Sequence, residues 1–272
     1  MKVMRYKNVI LEKENQVASI ILNRPDKMNS FDSEMQEEID AAVSEVAGDL
    51  ETRAVIITGV GKAFCTGFDV SSLKVVGEQE IIPEAPLATI ARGGATILTT
   101  TLKIRNMRKP VIAALNGIAA GAGVGLALAC DIRIASTEAR LNLAFIKRGL
   151  SPDTAITYHL PRLVGIAKAC EIVFTDDVID ASEADRIGLV NRVVPPKDLM
   201  DLSKSLAGKI AQNPPLAVGL TKDALYRGSV ETDIAMHMAY ELDLVYLLKN
   251  TADFKEGVNS FLEKRPPEFK GI

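Results

Sequence analysis

Val17-Ala18-Ser19-Ile20-Ile21-Leu22-Asn23-Arg24-Pro25 is a short, mostly apolar run that stops at a proline. A run of that length, β-branched and bounded by a breaker, predicts a buried strand rather than a helix. Ser33 and Gln36 then have the spacing of a capping box, and Met35, Ile39, Ala42, Val43, Val46 and Leu50 recur at helical intervals. Ala54 to Thr58 is a second buried strand, closed by the turn Gly59-Val60-Gly61. Strand, amphipathic helix and strand in this order predict a parallel βαβ unit with a right-handed crossover, and so an α/β fold.

Downstream the alternation continues less regularly. Residues 74 to 94 carry Pro83, Pro86, Gly93 and Gly94 with little periodicity, and read as a variable loop. They lead into a helix ending before Lys109-Pro110. Val111 to Leu115 predicts a third strand, Leu126 to Ala129 lies in a helix, and Ile132 to Ala135 predicts a fourth strand. From about Asp198 the pattern is helical, with breaks at Pro214-Pro215 and Gly228. Residues 1–197 therefore read as the α/β core and 198–272 as a helical region. Met236 to Leu248 is apolar on more than one face, so that helix needs covering on two sides, and a neighbouring subunit is the expected second surface.

Composition narrows the function classes. With 272 residues and 47% hydrophobic content, the chain can bury a large core. Lys+Arg 32 against Asp+Glu 35 is near balance, which gives no reason to expect nucleic acid or an anionic membrane as partner. Three cysteines without a CxxC, and two histidines, fit neither a disulfide framework nor a metal site, and favour a reducing, cytoplasmic setting. The apolar stretch from Gly117 to Cys130 is too short to cross a bilayer.

Two turns carry the chemistry. Lys62-Ala63-Phe64-Cys65-Thr66-Gly67-Phe68-Asp69-Val70 follows the second strand, and Asn116-Gly117-Ile118-Ala119-Ala120-Gly121-Ala122-Gly123-Val124-Gly125 follows the third. Each leads from the carboxyl end of a strand towards a helix start, where ligands sit in open α/β sheets. Unpaired backbone N–H groups there could form an oxyanion hole for a carbonyl oxygen gaining charge. The glycines could equally serve close packing alone. The spacing is wrong for a dinucleotide fingerprint, and no P-loop motif occurs.

These turns, together with Leu22-Asn23-Arg24-Pro25, Ala129-Cys130-Asp131-Ile132-Arg133-Ile134-Ala135, Phe254-Lys255-Glu256-Gly257 and Phe261-Leu262-Glu263-Lys264-Arg265, resemble the crotonase (enoyl-CoA hydratase/isomerase) family in order and spacing. The resemblance implies a spiral of ββα units, a C-terminal helical region that packs trimers or a dimer of trimers, and an acyl-CoA thioester substrate. It implies no permanently bound cofactor beyond the coenzyme A of the substrate, no metal and no membrane. By position it assigns the oxyanion amides to Phe68 and Ala122. It sets Cys65, Phe68, Asp69, Val70, Ser71 and Ala122 along the CoA, with Lys27, Phe261 and Lys264 as candidates for its phosphates; each lysine could also be an ordinary solvated charge.

The hydratases of this family use two glutamates, and the matching positions hold Gly125 and Phe145, neither of which can move a proton. The segment Gly149-Leu150-Ser151-Pro152-Asp153-Thr154-Ala155 resembles instead a subgroup with an Asp at position 153. There the resemblance implies double-bond isomerisation with Asp153 as acid/base. The dehalogenase variant would need a His and a Trp where Leu102 and Phe145 stand. Asp153 also has the setting of a helix N-cap, which is its structural alternative. Asp69 and Glu78 are weaker acid/base candidates, and His159 and His237 read as packing or surface residues. Hydration or another family reaction (hydrolysis, C–C cleavage) with a non-standard acid/base is the competing activity. A non-catalytic CoA-ester-binding protein is the alternative of another class.

Overall fold

The structure is a computed structural model that describes residues 2–69 and 97–272. A seven-stranded sheet is built from β1 (Lys2–Arg5), β2 (Val9–Glu14), β3 (Val17–Leu22), β4 (Ala54–Gly59), β6 (Val111–Leu115), β8 (Ile132–Ser136) and β11 (Arg192–Val194), in that order. β1 to β3 pair antiparallel, and β3, β4, β6, β8 and β11 run parallel. A smaller sheet has the order β10 (Ile179–Asp180), β9 (Arg140–Asn142), β7 (Ile118–Ala120), β5 (Ala63–Cys65). Helix α1 (Ser33–Gly48) joins β3 to the parallel neighbour β4, the expected βαβ unit.

From β4 onward the chain winds in repeats, each placing one strand in the large sheet, the next in the small sheet, and then a helix outside. β6, β7 and α3 (Ala122–Ala129) make one repeat, and β8, β9 and α4 (Ile156–Val164) the next. β4 and β5 begin an earlier one, whose chain continues outside the described residues to α2 (Ile97–Asn106). This is the ββα spiral. Central strands show unbroken apolar runs because both faces are covered. Val55 and Ile57 of β4 face the main core, while Ala54 and Ile56 meet α7 (Leu199–Ala211) on the other face.

Two local expectations change. The cap of α1 is Asp32, whose Oδ1 accepts from Met35 N at 2.9 Å, rather than Ser33. Its carboxylate accepts the amide three residues on, as a cap does, so the helix starts one residue after it. α1 ends at Gly48, which leaves Leu50 94% exposed and outside the apolar stripe. The loop at 74 to 94 lies outside the described residues. After α5 (Ile166–Thr175), α6 (Ala181–Arg186) and α7, the helices α8 (Pro215–Gly228), α9 (Ile234–Lys249) and α10 (Ala252–Glu263) complete the chain. Pro215 starts α8 and Gly228 ends it, as the breaks predicted. α9 buries none of its residues in the single chain, and Met236, Met238, Leu242, Val245 and Leu247 stand exposed. Among the described residues, no helix is long and apolar enough to cross a membrane.

Candidate active site

The first turn leaves β5 at Cys65 and is held from one side by Phe31. Phe31 N donates to Gly67 O at 2.7 Å, and Asp69 N donates to Phe31 O at 3.0 Å. In such a parallel bridge the residue between, Phe68, turns its own N–H to the opposite side. Nothing among the described residues accepts from that amide. The Phe68 ring lies edge-on to Phe31 at 6.2 Å. Gly67 has φ +81, a conformation that favours glycine.

The second turn ends on α3. Gly121 N donates to Asn142 O, and Ala122 is the first residue of the helix. Its N–H is one of the helix's orphan donors, with no side-chain cap and no acceptor among the described residues. The two turns touch. A Cβ on Gly67 would stand 3.1 Å from Ala122 N, and one on Gly123 would stand 2.1 Å from Cys65 O. The glycines therefore do serve close packing, and that packing brings together the two turns that carry the amides without an acceptor among the described residues.

Asp153 precedes α4, and it does not cap it. The residue before the helix is Ala155, at φ 59, with no side-chain cap bond. Thr154 and Ala155 both have positive φ, so the chain turns back on itself between Asp153 and the helix. The expected N-cap geometry, with the side chain accepting the amide two or three residues on, is absent because Asp153 O, a backbone atom, accepts Ile156 N at 3.0 Å. The Thr154 hydroxyl donates to Asp153 Oδ1 at 3.2 Å. Its side chain also fills the space over Gly125, where a Cβ would stand 1.9 Å from Thr154 Oγ1. Position 125 follows Ala122 by about 4.5 Å along the helix axis. Thr154, the neighbour of Asp153, thus packs against the helix about one turn after the Ala122 amide.

Surrounding protein raises the Asp153 carboxyl above the ordinary carboxylate range, its partial burial outweighing the Thr154 hydrogen bond. The side chain remains solvent-accessible in the single chain. Phe145 is buried in the main core, 7% exposed.

The other predicted residues divide. Asp69 is paired with Arg24, whose Nη1 lies 3.2 Å from its Oδ2. Arg24 also holds Asp32 at 2.9 Å and Ser30, so it clamps the first turn to the β3–α1 connection. In the sequence, the signal for Arg24 is its position just before Pro25 at a strand end. Cys65 is fully buried, with its thiol pushed up to about 12 by burial, so only its backbone can face a ligand. Lys27 is exposed on the adjoining turn. Phe261 and Lys264 are exposed at the end of α10. Val70, Ser71 and Glu78 lie outside the described residues. His159 is half-buried, its pKa lowered to about 4 by burial and by Arg105, Arg133 and Arg162. His237 packs against Gly228. No group of three or more His, Cys, Asp or Glu side chains among the described residues could hold a metal ion.

Comparison with known proteins gives a consistent picture. A family model described as enoyl-CoA hydratase/isomerase matches residues 12–272. The short-chain-enoyl-CoA hydratase of Clostridium acetobutylicum is 40% identical, over 97% of this chain and 98% of its own. The 1,2-epoxyphenylacetyl-CoA isomerase of Escherichia coli (strain K12) is 34% identical over 95% of this chain and 96% of its own. The crystal structure of an enoyl-CoA hydratase from Bacillus anthracis superposes with a TM-score of 0.88 at 36% identity, covering 98% of this chain and 100% of that one.

Proposed function

The chain belongs to the enoyl-CoA hydratase/isomerase family, and from that membership we propose that it binds an acyl-CoA thioester and moves its double bond by proton transfer through Asp153. The observation that carries this reading is the pair of amides, Phe68 N and Ala122 N, without an acceptor among the described residues, on a turn and a helix start that pack together, with Thr154, the neighbour of Asp153, seated against Gly125 of the same helix. The Asp153 carboxylate takes a proton from the carbon next to, or vinylogous to, the thioester carbonyl. The C–H electron pair flows into the carbonyl, and the resulting enolate or dienolate oxygen receives the two N–H groups. The same carboxyl returns the proton at the other end of the conjugated system. Atoms balance without water, metal or a second base. Partial burial holds the carboxyl's pKa above its ordinary value, which suits a base that must also return its proton.

The closed space at position 125 supports isomerisation over hydration, because Thr154 fills the volume a glutamate there would need. Hydratase names prevail among the relatives, and they favour the second reading, hydration by a non-standard acid/base. Incubating the purified protein with straight-chain, aromatic and alicyclic enoyl-CoA esters in deuterated water separates the two. Isomerisation predicts deuterium at the α or γ carbon and a shifted double bond. Accumulation of 3-hydroxyacyl-CoA would establish hydration instead, and absence of both would leave a CoA-ester-binding protein.

For the coenzyme A, we assign Lys27 and the turn from Cys65 through Ser71 to its near side. We assign Phe261 and Lys264, exposed at the end of α10, to the CoA of an adjoining copy. The region 198–272 is the proposed assembly element, because α9 exposes apolar side chains that a single chain leaves uncovered. We expect a trimer or dimer of trimers in sedimentation equilibrium; a monomer at micromolar concentration would exclude this assembly.

A further inference from the structure

A cavity of about 680 Å³ opens between α2, α4 and α8, and its wall includes Thr154 and Ala155, the residues that follow Asp153. Leu98, Thr101, Leu102 and Arg105 line it from α2 at intervals of three and four, which puts them on one face of that helix. The face runs about 10 Å along the helix axis. Most of it suits hydrocarbon; Arg105 does not.

The guanidinium of Arg105 is half-buried and lies over the Tyr226 ring, 2.9 Å from its centroid. It donates no hydrogen bond and makes no ion pair among the described residues. The two nearby carboxylates are already engaged. Asp131 accepts from Lys222 Nζ at 2.8 Å, Tyr226 OH at 2.7 Å and Val111 N at 2.7 Å. Asp223 is paired with Arg108 at 2.8 Å. Stacking covers only the face of a guanidinium, and its five N–H donors point outward in its plane. His159 adjoins the same cavity and is neutral at pH 7, so it supplies a hydrogen bond and no competing charge. Burial lowers the basicity of Arg105, outweighing the opposing effect of Tyr226, Tyr158, Asp131 and Asp223.

We propose that this cavity holds the far part of the acyl group and that Arg105 binds a carboxylate at its end, so that the substrates are CoA thioesters of dicarboxylic acids. The proposal rests on the reading of the site as a CoA-thioester site. A carboxylate matches the fork of a guanidinium in two parallel hydrogen bonds, and Leu98 and Leu102 flank the chain that would lead to it.

Isothermal titration of the full-length protein with suberyl-CoA and octanoyl-CoA, which share chain length and differ in the terminal carboxylate, tests this. Wild type is expected to bind suberyl-CoA about 10-fold or more tightly, the usual worth of a charged hydrogen-bonded pair. Arg105→Gln should bring the two affinities together without changing that for octanoyl-CoA, and Arg105→Lys should restore part of the difference. Equal affinities in wild type would overturn the proposal alone, with no variant needed. Failure to bind either ester would overturn the CoA-thioester reading as well. An Arg105→Gln protein that keeps the preference, or that keeps it and sediments as a smaller assembly, would assign Arg105 to another role.

Discussion

Asp153→Asn is expected to lower turnover by about 100-fold or more, the typical worth of a positioned acid/base, on any ester the native protein converts. The amide keeps the size of the carboxyl and can still accept from the Thr154 hydroxyl, so binding of the CoA ester should change little. Stability separates this role from a structural one. Burial raises the Asp153 pKa in the folded protein, so between the unfolded and folded values the folded state holds a proton that the unfolded state has released. The group therefore favours folding least once pH has risen through its folded pKa. Removing its charge at pH 7 should leave Tm unchanged or slightly higher, whereas a capping role, which asparagine would also fill, would show as a loss of about 1 kcal/mol in Asp153→Ala. The native enzyme's activity should fall on acidification at a pH above the ordinary carboxylate range, because the ionised form is the base. Near-native turnover in Asp153→Asn would end the assignment. Asp69 would be a poor replacement, because its carboxylate is committed to Arg24.

Ala122→Pro should be comparably damaging for a different reason. The substitution deletes one N–H at the first position of α3, where proline is tolerated and where the lost donor serves no bond among the described residues. Gly121, which precedes it, is the residue type least restricted by a following proline. Fold and assembly should persist, with Tm within a few degrees of wild type. Turnover should fall by about 100- to 1,000-fold, the usual effect of losing an oxyanion-hole donor. The proline Cδ would also stand where the thioester oxygen is expected, so weaker ester binding should accompany the loss. A variant that folds and turns over within a few-fold of wild type would show that the Ala122 amide holds no developing charge.

The two variants act on separate parts of the site. The oxyanion turns depend on packing between α3, β5 and the Phe31 segment. Asp153 depends on Thr154 lying against Gly125. A residual rate in each single variant that falls further in the double variant would indicate that charge stabilisation and proton transfer contribute independently.

The strand at Val17–Leu22, the helix after it and the parallel strand at Ala54 were legible from the chain alone. Their apolar periodicity is dictated by burial, and burial leaves a local trace. The two glycine turns were legible for a similar reason, since a side chain at Gly123 would collide with the Cys65 carbonyl and the sequence has to concede that space. Three-residue strands such as β5, β7 and β9 left no such trace, because pairing between distant segments supplies their order. Residue chemistry by itself also offered Asp153 as base or as helix cap. Only the tertiary structure decided against the cap, by turning the chain through positive φ at Thr154 and Ala155 and moving the helix start past the aspartate. It likewise revealed that Asp69 pairs with Arg24, and that Arg105 has neither acid nor carbonyl to bond among the described residues. Which charges meet is a matter of three-dimensional distance, and residues 45 or more positions apart carry no local sign of it.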